Sequence, residues 1–331
     1  MPIRVLQVGL GPIGVSIAKQ LVARNGFELV GAVDLDPAKV GQELRTVLET
    51  APLGLVISGD LAASLESLQP DCAVVSTSSS LERVAPTLEA CLAAGVAVVS
   101  TTEELSFPHR ERPELAARLD AAAKAAGRAI LGTGVNPGFA MDALPLSLSA
   151  VCERVDAVTV RRIQDAAFRR LPFQQKIGAG LSPAEFLAKV AQGGVRHVGL
   201  AESIGMIAAA FGWTLDSVTD EIEPIVASAP VASRELRVEA GQASGVRQLG
   251  LGKEGDRVRV RLEFEAYLGA PESYDEVEIT GSPNLRSRIH GGIPGDLATA
   301  SIVVNAIPRV VAAPAGLVTM KDLPPAYCWP G

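Results

Sequence analysis

The chain has 331 residues, 48% of them hydrophobic, and its 37 acidic against 30 basic side chains give a net charge of −7. That length holds two domains with cores of their own. An acidic chain argues against a nucleic-acid or anionic-membrane partner, since those surfaces need clustered Lys and Arg. No apolar run reaches the ~18 to 20 residues of a membrane helix. The first strand pattern begins at Ile3, which leaves no room for a signal peptide and points to the cytoplasm. Cys72, Cys91, Cys152 and Cys328 form no CxxC pair and read as buried thiols in a reducing compartment, while His109, His197 and His290 lack metal-ligand spacing, so no metal is expected.

An apolar run over residues 3–8 leads into the motif GLGPIG at 9–14, behind which a helical pattern covers 15–23. Such a strand, glycine turn and helix make a dinucleotide cradle: Gly9 for the tight turn, Gly11 for approach of the pyrophosphate, Gly14 for close helix packing. The partial positive charge of the helix N-terminus suits a diphosphate without any cationic side chain. Gly9, Gly11, Pro12, Ile13 and Gly14 are therefore the candidate cofactor loop. A second apolar run, 27–33, ends at Asp34, about twenty residues past Gly14. A carboxylate there accepts hydrogen bonds from the ribose hydroxyls and repels a 2′-phosphate, which favours NAD. Lys39 nearby keeps NADP open as an alternative, and Asp36 reads as a helix cap beside Pro37.

The alternation of strand and helix continues with strands at 54–58, 73–76, 96–100 and 129–131 and helices at 61–68, 81–94 and 114–126. This is the signature of a doubly wound parallel sheet, a Rossmann domain of α/β class over residues 1–135. Thr77, Ser78 and Ser79 follow a strand at the sheet edge where such folds bind ligands, so they are expected to border the cofactor. From 136 to 290 the pattern changes. Strands at 157–163, 234–240, 256–266 and 274–280, with helices at 183–192 and around 197–210, suggest an α+β domain containing a mostly antiparallel sheet. Its outer face is the expected surface of a homodimer. A last helix at 296–311 and the tail, 291–331, are expected to return to the first domain.

Four stretches, STTEEL at 100–105, GTGVNPGF at 132–139, QKIGAG at 175–180 and IHGGIPGD at 289–296, together resemble the 2,4-diaminopentanoate dehydrogenases and the native amine dehydrogenases related to them. Wider relatives resemble dihydrodipicolinate reductase in fold, although that enzyme's paired-histidine, lysine and DAPSGT-like signature is absent here. The resemblance implies NAD(P)-dependent, reversible oxidation of a primary amine to an imine, which hydrolyses to a ketone or aldehyde and ammonia. Such chemistry needs a carboxylate, because ammonia arrives as ammonium and the imine is cationic. Motif position carries that role to Glu103, with Glu104 as the substitute, both on a loop after a parallel strand. Asn136 and Pro137 follow the last strand of the first domain and are expected beside the nicotinamide, with Asn136 bonding its carboxamide or the substrate, and Thr101 is a further expected cofactor contact. Phe139, Ala140, Leu144, Phe168, Pro172, His197 and Thr299 are expected around the substrate, with Phe168 facing its alkyl group. For Asn136 a plain turn, and for His197 a core position, are the competing readings.

Two other enzyme classes and a binding role compete with this reading. A homoserine or amino-acid dehydrogenase would use a lysine such as Lys176. A semialdehyde dehydrogenase is disfavoured because no cysteine sits in a nucleophile-like loop. A cofactor-binding sensor without chemistry has no evident need for Glu103 and Asn136 on neighbouring loops.

Overall fold

The computed structural model describes residues 1–330. In chain order the first segment contains β1 (Ile3–Val8), α1 (Pro12–Val22), β2 (Phe27–Val33), α2 (Leu44–Leu48), β3 (Ile57–Ser58), α3 (Leu61–Leu68), β4 (Cys72–Val75), α4 (Leu81–Ala93), β5 (Ala97–Ser100), α5 (Pro113–Ala126) and β6 (Ala129–Gly132). The middle of the chain forms α6 (Ala143–Leu148), β7 (Arg154–Asp165), α7 (Leu171–Lys176), α8 (Pro183–Ala191), α9 (Leu200–Phe211), β8 (Ser217–Val226), β9 (Val231–Ala232), β10 (Arg237–Val238), β11 (Ala243–Glu254), β12 (Arg257–Tyr267), β13 (Tyr274–Ser282) and β14 (Leu285–His290). It ends with α10 (Gly295–Val311) and β15 (Gly316–Val318).

These elements form two compact units, residues 1–139 with 294–331, and residues 140–293. In the first, seven parallel strands are ordered β15-β6-β5-β4-β1-β2-β3. The strands are continuous apolar runs because helices cover the sheet, and Val5, Leu6, Val74, Val75, Val98 and Ile130 are fully buried. The strand order reverses beside β1, the place where open parallel sheets bind ligands. α10 packs against α1 and the sheet, and β15 adds a parallel edge strand to β6. Arg24, two residues past the end of α1, donates to Asn305 Oδ1 at 2.6 Å, so Asn305 is a packing residue of α10.

The second unit is a six-stranded sheet ordered β14-β13-β7-β12-β11-β8, antiparallel at every pairing except β7 with β12. One face lies under α9, which packs on β8, β11 and β12. Period-two alternation sends charged side chains to the other face, where Arg161 pairs with Glu263, Glu276 and Glu278, each at 3.1 Å. The segment expected as a strand at 234–240 is reduced to the two residues of β10, and β8, β11 and β14 are strands that the pattern did not disclose.

Candidate active site

Beyond β1 the chain turns at Gly9, whose φ of +90° suits glycine, and enters α1 at Pro12. A Cβ on Gly14 would lie 2.0 Å from the Gly9 carbonyl oxygen, so only hydrogen fits between loop and helix. A Cβ on Gly11 would meet nothing within 4 Å, and its backbone faces open space. Gly11 caps α1 without any side-chain hydrogen bond, leaving the first-turn amides to a ligand. Beneath the loop, the buried Gln7 amide donates to the Gly9 carbonyl and to Ser76 Oγ, both at 2.8 Å. Gln7 thus ties the turn after β1 to the turn after β4, a role hidden in a run that reads as apolar.

Gly9, Gly11, Asp34, Thr77 and Ser78 line one cleft of 480 Å³. The sequence reading missed Leu35, Arg83 and Thr87 in its wall. Arg83 and Thr87 are one turn apart on α4, the helix that follows the Thr77–Ser80 loop, and that adjacency was the available signal. Asp34 accepts from the amides of Leu10 at 2.7 Å and Asp36 at 2.8 Å, with Lys39 Nζ at 3.3 Å. Partial burial works against its charge, but those two amides and the ammonium outweigh it and hold the carboxyl below the usual aspartate range. The open backbone at Gly11, the uncapped helix and the acid at the end of β2 fit the pyrophosphate and ribose of a dinucleotide.

The loops after β5 and β6 lie next to each other at the same sheet edge, joined by a hydrogen bond from Thr133 N–H to the Ser100 carbonyl at 2.8 Å. Thr101 N–H donates to Val75 O at 3.0 Å, and buried Thr102 donates to Ser78 O at 2.9 Å, binding the β5 loop to the β4 loop. Glu103–Leu105 forms a single 3-10 turn packed on Gly132, where a Cβ would come within 2.5 Å of the Leu105 backbone. Within that turn the two glutamates differ. Glu104 Oε2 accepts from Leu81 N–H at 2.8 Å, capping α4, and Oε1 lies 3.6 Å from Arg112. Glu103 is half-buried, its backbone carbonyl held by the amide of Ser106 at 3.1 Å and its hydroxyl at 2.8 Å. Asn136 is buried on the β6 loop, and its bond to Pro137 is cis.

The residues expected around the substrate are divided between the two units. Thr299 of α10 accepts from Val135 N–H at 3.3 Å, bracing the β6 loop, and Phe139 is half-buried. Ala140 is buried and Leu144 half-buried at the start of the second unit. Phe168 is corrected: its ring is 90% exposed, because the turn Ala166–Phe168, capped by Asp165, buries Ala166 and swings the phenyl group outward. Pro172 is also exposed, at the start of α7. His197 stacks on Phe264 at 4.6 Å, and Gln248 clasps its backbone by accepting from its N–H at 2.8 Å and donating to its carbonyl at 2.9 Å. Burial, with Lys176, Arg162 and Arg196 nearby, pushes its pKa down to about 3, so the ring is neutral. No helix among the described residues is long and apolar enough to cross a membrane.

A family profile described as the 2,4-diaminopentanoate dehydrogenase C-terminal domain matches residues 139–331, and one described as the dihydrodipicolinate reductase N-terminus matches residues 3–127. The 2,4-diaminopentanoate dehydrogenase of Acetoanaerobium sticklandii is 31% identical over 332 residues, covering 97% of this chain and 93% of that protein. The solved structure of an amine dehydrogenase from Mycobacterium smegmatis is similar at a TM-score of 0.86 and 29% identity, over 100% of this chain and 98% of that one. Dihydrodipicolinate reductase from Paenisporosarcina sp. TG-14 shares the fold, with a TM-score of 0.51 and 15% identity over 97% of this chain and 99% of that one.

Proposed function

This chain belongs to the 2,4-diaminopentanoate dehydrogenase family of NAD(P)-dependent oxidoreductases, and from that premise we propose that it interconverts a primary amine with a ketone or aldehyde plus ammonia, using Glu103 as acid and base. The observation that carries this reading is the place of Glu103 in the turn after β5, at the sheet edge where the loop after β6 is hydrogen-bonded to β5. Glu104 spends its oxygens on the α4 cap and on Arg112, work that belongs to the fold. Glu103, one residue earlier in the same turn, stands at the carboxyl edge of the sheet beside the Asn136 loop.

A dinucleotide held in this cleft would supply the hydride acceptor for the carbon that bears nitrogen. Glu103 removes a proton from the substrate ammonium, so that the nitrogen lone pair can assist loss of hydride, and, having passed that proton to solvent, faces the iminium cation as a carboxylate again. An anion at that position lowers the energy of a developing positive charge. The same carboxylate takes a proton from the water that attacks the iminium carbon and returns it to the departing nitrogen, giving carbonyl and ammonia. Asn136, Pro137 and Thr101 border the nicotinamide in this reading. Phe139, Ala140, Leu144 and Thr299 belong to the substrate side.

The test is a panel of carbonyl compounds with ammonium and either reduced cofactor. Oxidation of NADH that requires both carbonyl and ammonium supports the reading, and oxidation without ammonium contradicts it. Activity confined to 2,4-diaminopentanoate in the amine direction would narrow the substrate to that diamino acid. A reducing, cytoplasmic setting fits the four cysteines, all of them free among the described residues.

A homodimer through the charged face of the second sheet belongs to the same proposal. That face alternates Arg and Glu across neighbouring strands, as in Arg247 with Glu265 at 2.7 Å and Arg286 with Glu276 at 3.0 Å, and a two-fold axis can set such a mixed surface against itself. Sedimentation reads this directly: a dimer at micromolar concentration is expected, weakened by Arg247→Glu, and a monomeric wild type contradicts it.

A further inference from the structure

The loop that carries Asn136 leans on α10. Thr299 stands on the second turn of that helix, and its Oγ1 accepts from Val135 N–H, one residue before Asn136, at 3.3 Å. The loop bends around this side chain: a Cβ on Gly134 would lie 3.5 Å from Thr299 Cγ2 and 3.3 Å from the Pro137 carbonyl oxygen. Val135 is buried, so its amide, deprived of the hydroxyl, would lose its partner in a place largely closed to water. Further along α10 the helix is fastened to α1. Gln20 Nε2 donates to Ser301 Oγ at 3.1 Å, and Asn305 Oδ1 accepts both from Arg24 at 2.6 Å and from Trp329 N–H at 3.1 Å. Arg24 also donates to the Trp329 carbonyl at 3.3 Å, and the Trp329 ring meets Phe27 of β2 edge to face, with centroids 4.9 Å apart. The segment after β15 therefore closes over α1, β2 and α10 together.

We propose that Thr299 is a positioning residue of the reaction, holding Asn136 at the sheet edge through the Val135 amide, and that the segment ending at Trp329 sets its place by latching α10 to α1. The backbone angles of Val135 aim Asn136, and the hydroxyl of Thr299 holds that peptide. A helix is stiff along its axis, so a shift at Asn305, about 9 Å away along α10, reaches Thr299 almost undiminished. At 3.3 Å the bond to Val135 is already at the long end of the N–H···O range, and little further movement breaks it. A misplacement of about 1 Å at a reacting centre costs on the order of a hundredfold in rate. The inference rests on the amine and carbonyl reading of the site and gives α10 a task in it.

Hydrogen exchange at Val135, which needs no turnover, is measured beside steady-state kinetics for Thr299→Val, Thr299→Ser and Trp329→Ala. Thr299→Val keeps the shape and removes the acceptor. It should speed exchange at Val135 at least about tenfold and lower kcat at least about tenfold, with KM for NADH and for the carbonyl within about twofold. Thr299→Ser, which keeps the hydroxyl, should stay within about threefold of wild type in both readings. Trp329→Ala should move both in the direction of Thr299→Val by about threefold. Wild-type exchange and kcat in Thr299→Val overturn the proposal, as does a Thr299→Ser variant that behaves like Thr299→Val. A carbonyl KM that rises at constant kcat makes Thr299 a substrate contact and overturns it too, and an unchanged Trp329→Ala overturns the latch. A wild type without ammonium-dependent turnover contradicts the reaction reading instead, and the exchange comparison then decides the brace by itself.

Discussion

Adjacent residues of the same type can have unrelated tasks, and only their partners tell them apart. In the sequence, Glu103 and Glu104 are adjacent acids on one loop, told apart only by motif position. The structure gives Glu104 a tertiary job, capping a helix that begins 23 positions earlier, and no local pattern encodes a cap supplied from such a distance. His197 teaches the same lesson. Its competing readings were a polar pocket residue and a core residue; the structure gives it a stack on Phe264, a backbone clasped by Gln248 and a buried Nε2 with no hydrogen-bond partner. Its pKa carries a stability consequence. The folded pKa, about 3, lies below the ordinary 6.5, so the unfolded chain binds the proton first and stability falls as pH drops below about 6.5. By pH 5 the loss attributable to this ring is roughly 2 kcal/mol. Urea midpoints at pH 7 and pH 5 measure it, with His197→Phe as the reference that keeps the stack and lacks the proton. A wild type whose acid slope equals that of the variant contradicts the assignment.

At the scale of elements, the parallel sheet was legible because continuous apolar runs end in glycine, polar loop or acid at each carboxyl edge. The second sheet was less so. β11 carries Gly250 and Gly252, which read as loop residues. In the fold, Cβ atoms there would meet Ile204 at 3.0 Å and 2.6 Å, so these glycines make room for α9. β8 carries Pro224 and an acidic alternation, compatible with its place at the sheet edge. Gly132 does for the Glu103–Leu105 turn what Gly250 does for α9. Gly132→Ala must push the Glu103–Leu105 turn off β6, since the added methyl group overlaps the Leu105 and Ser106 backbone. The expected cost is about 1 to 3 kcal/mol of stability, with kcat falling further than KM rises. Thermal melts and steady-state kinetics of the variant check both, and an unchanged kcat would separate this turn from the chemistry.

At the scale of the molecule, the order of motifs carried more information than any one of them. A glycine fingerprint, an acid at the end of the second strand and four family stretches in sequence are consistent with each other, and the family membership follows from the whole chain. The substrate side was the hard part to read. Phe168, read as a pocket residue by position, is turned outward by a local cap, and side-chain direction after a broken strand is not encoded in spacing. The cofactor side is organised by backbone and glycine, which leave clear marks in a sequence, and the substrate side by side chains, which do not.

The most direct measurement compares Glu103→Gln with Glu104→Gln in ammonium-dependent oxidation of NADH, alongside NADH affinity by fluorescence. The account predicts that Glu103→Gln loses at least about a hundredfold in kcat with NADH affinity nearly intact, the scale of a lost general acid and base. Glu104→Gln should retain turnover and lose about 1 kcal/mol of stability with its cap weakened. Turnover by Glu103→Gln within a few-fold of wild type would contradict the claim that this carboxylate handles the proton.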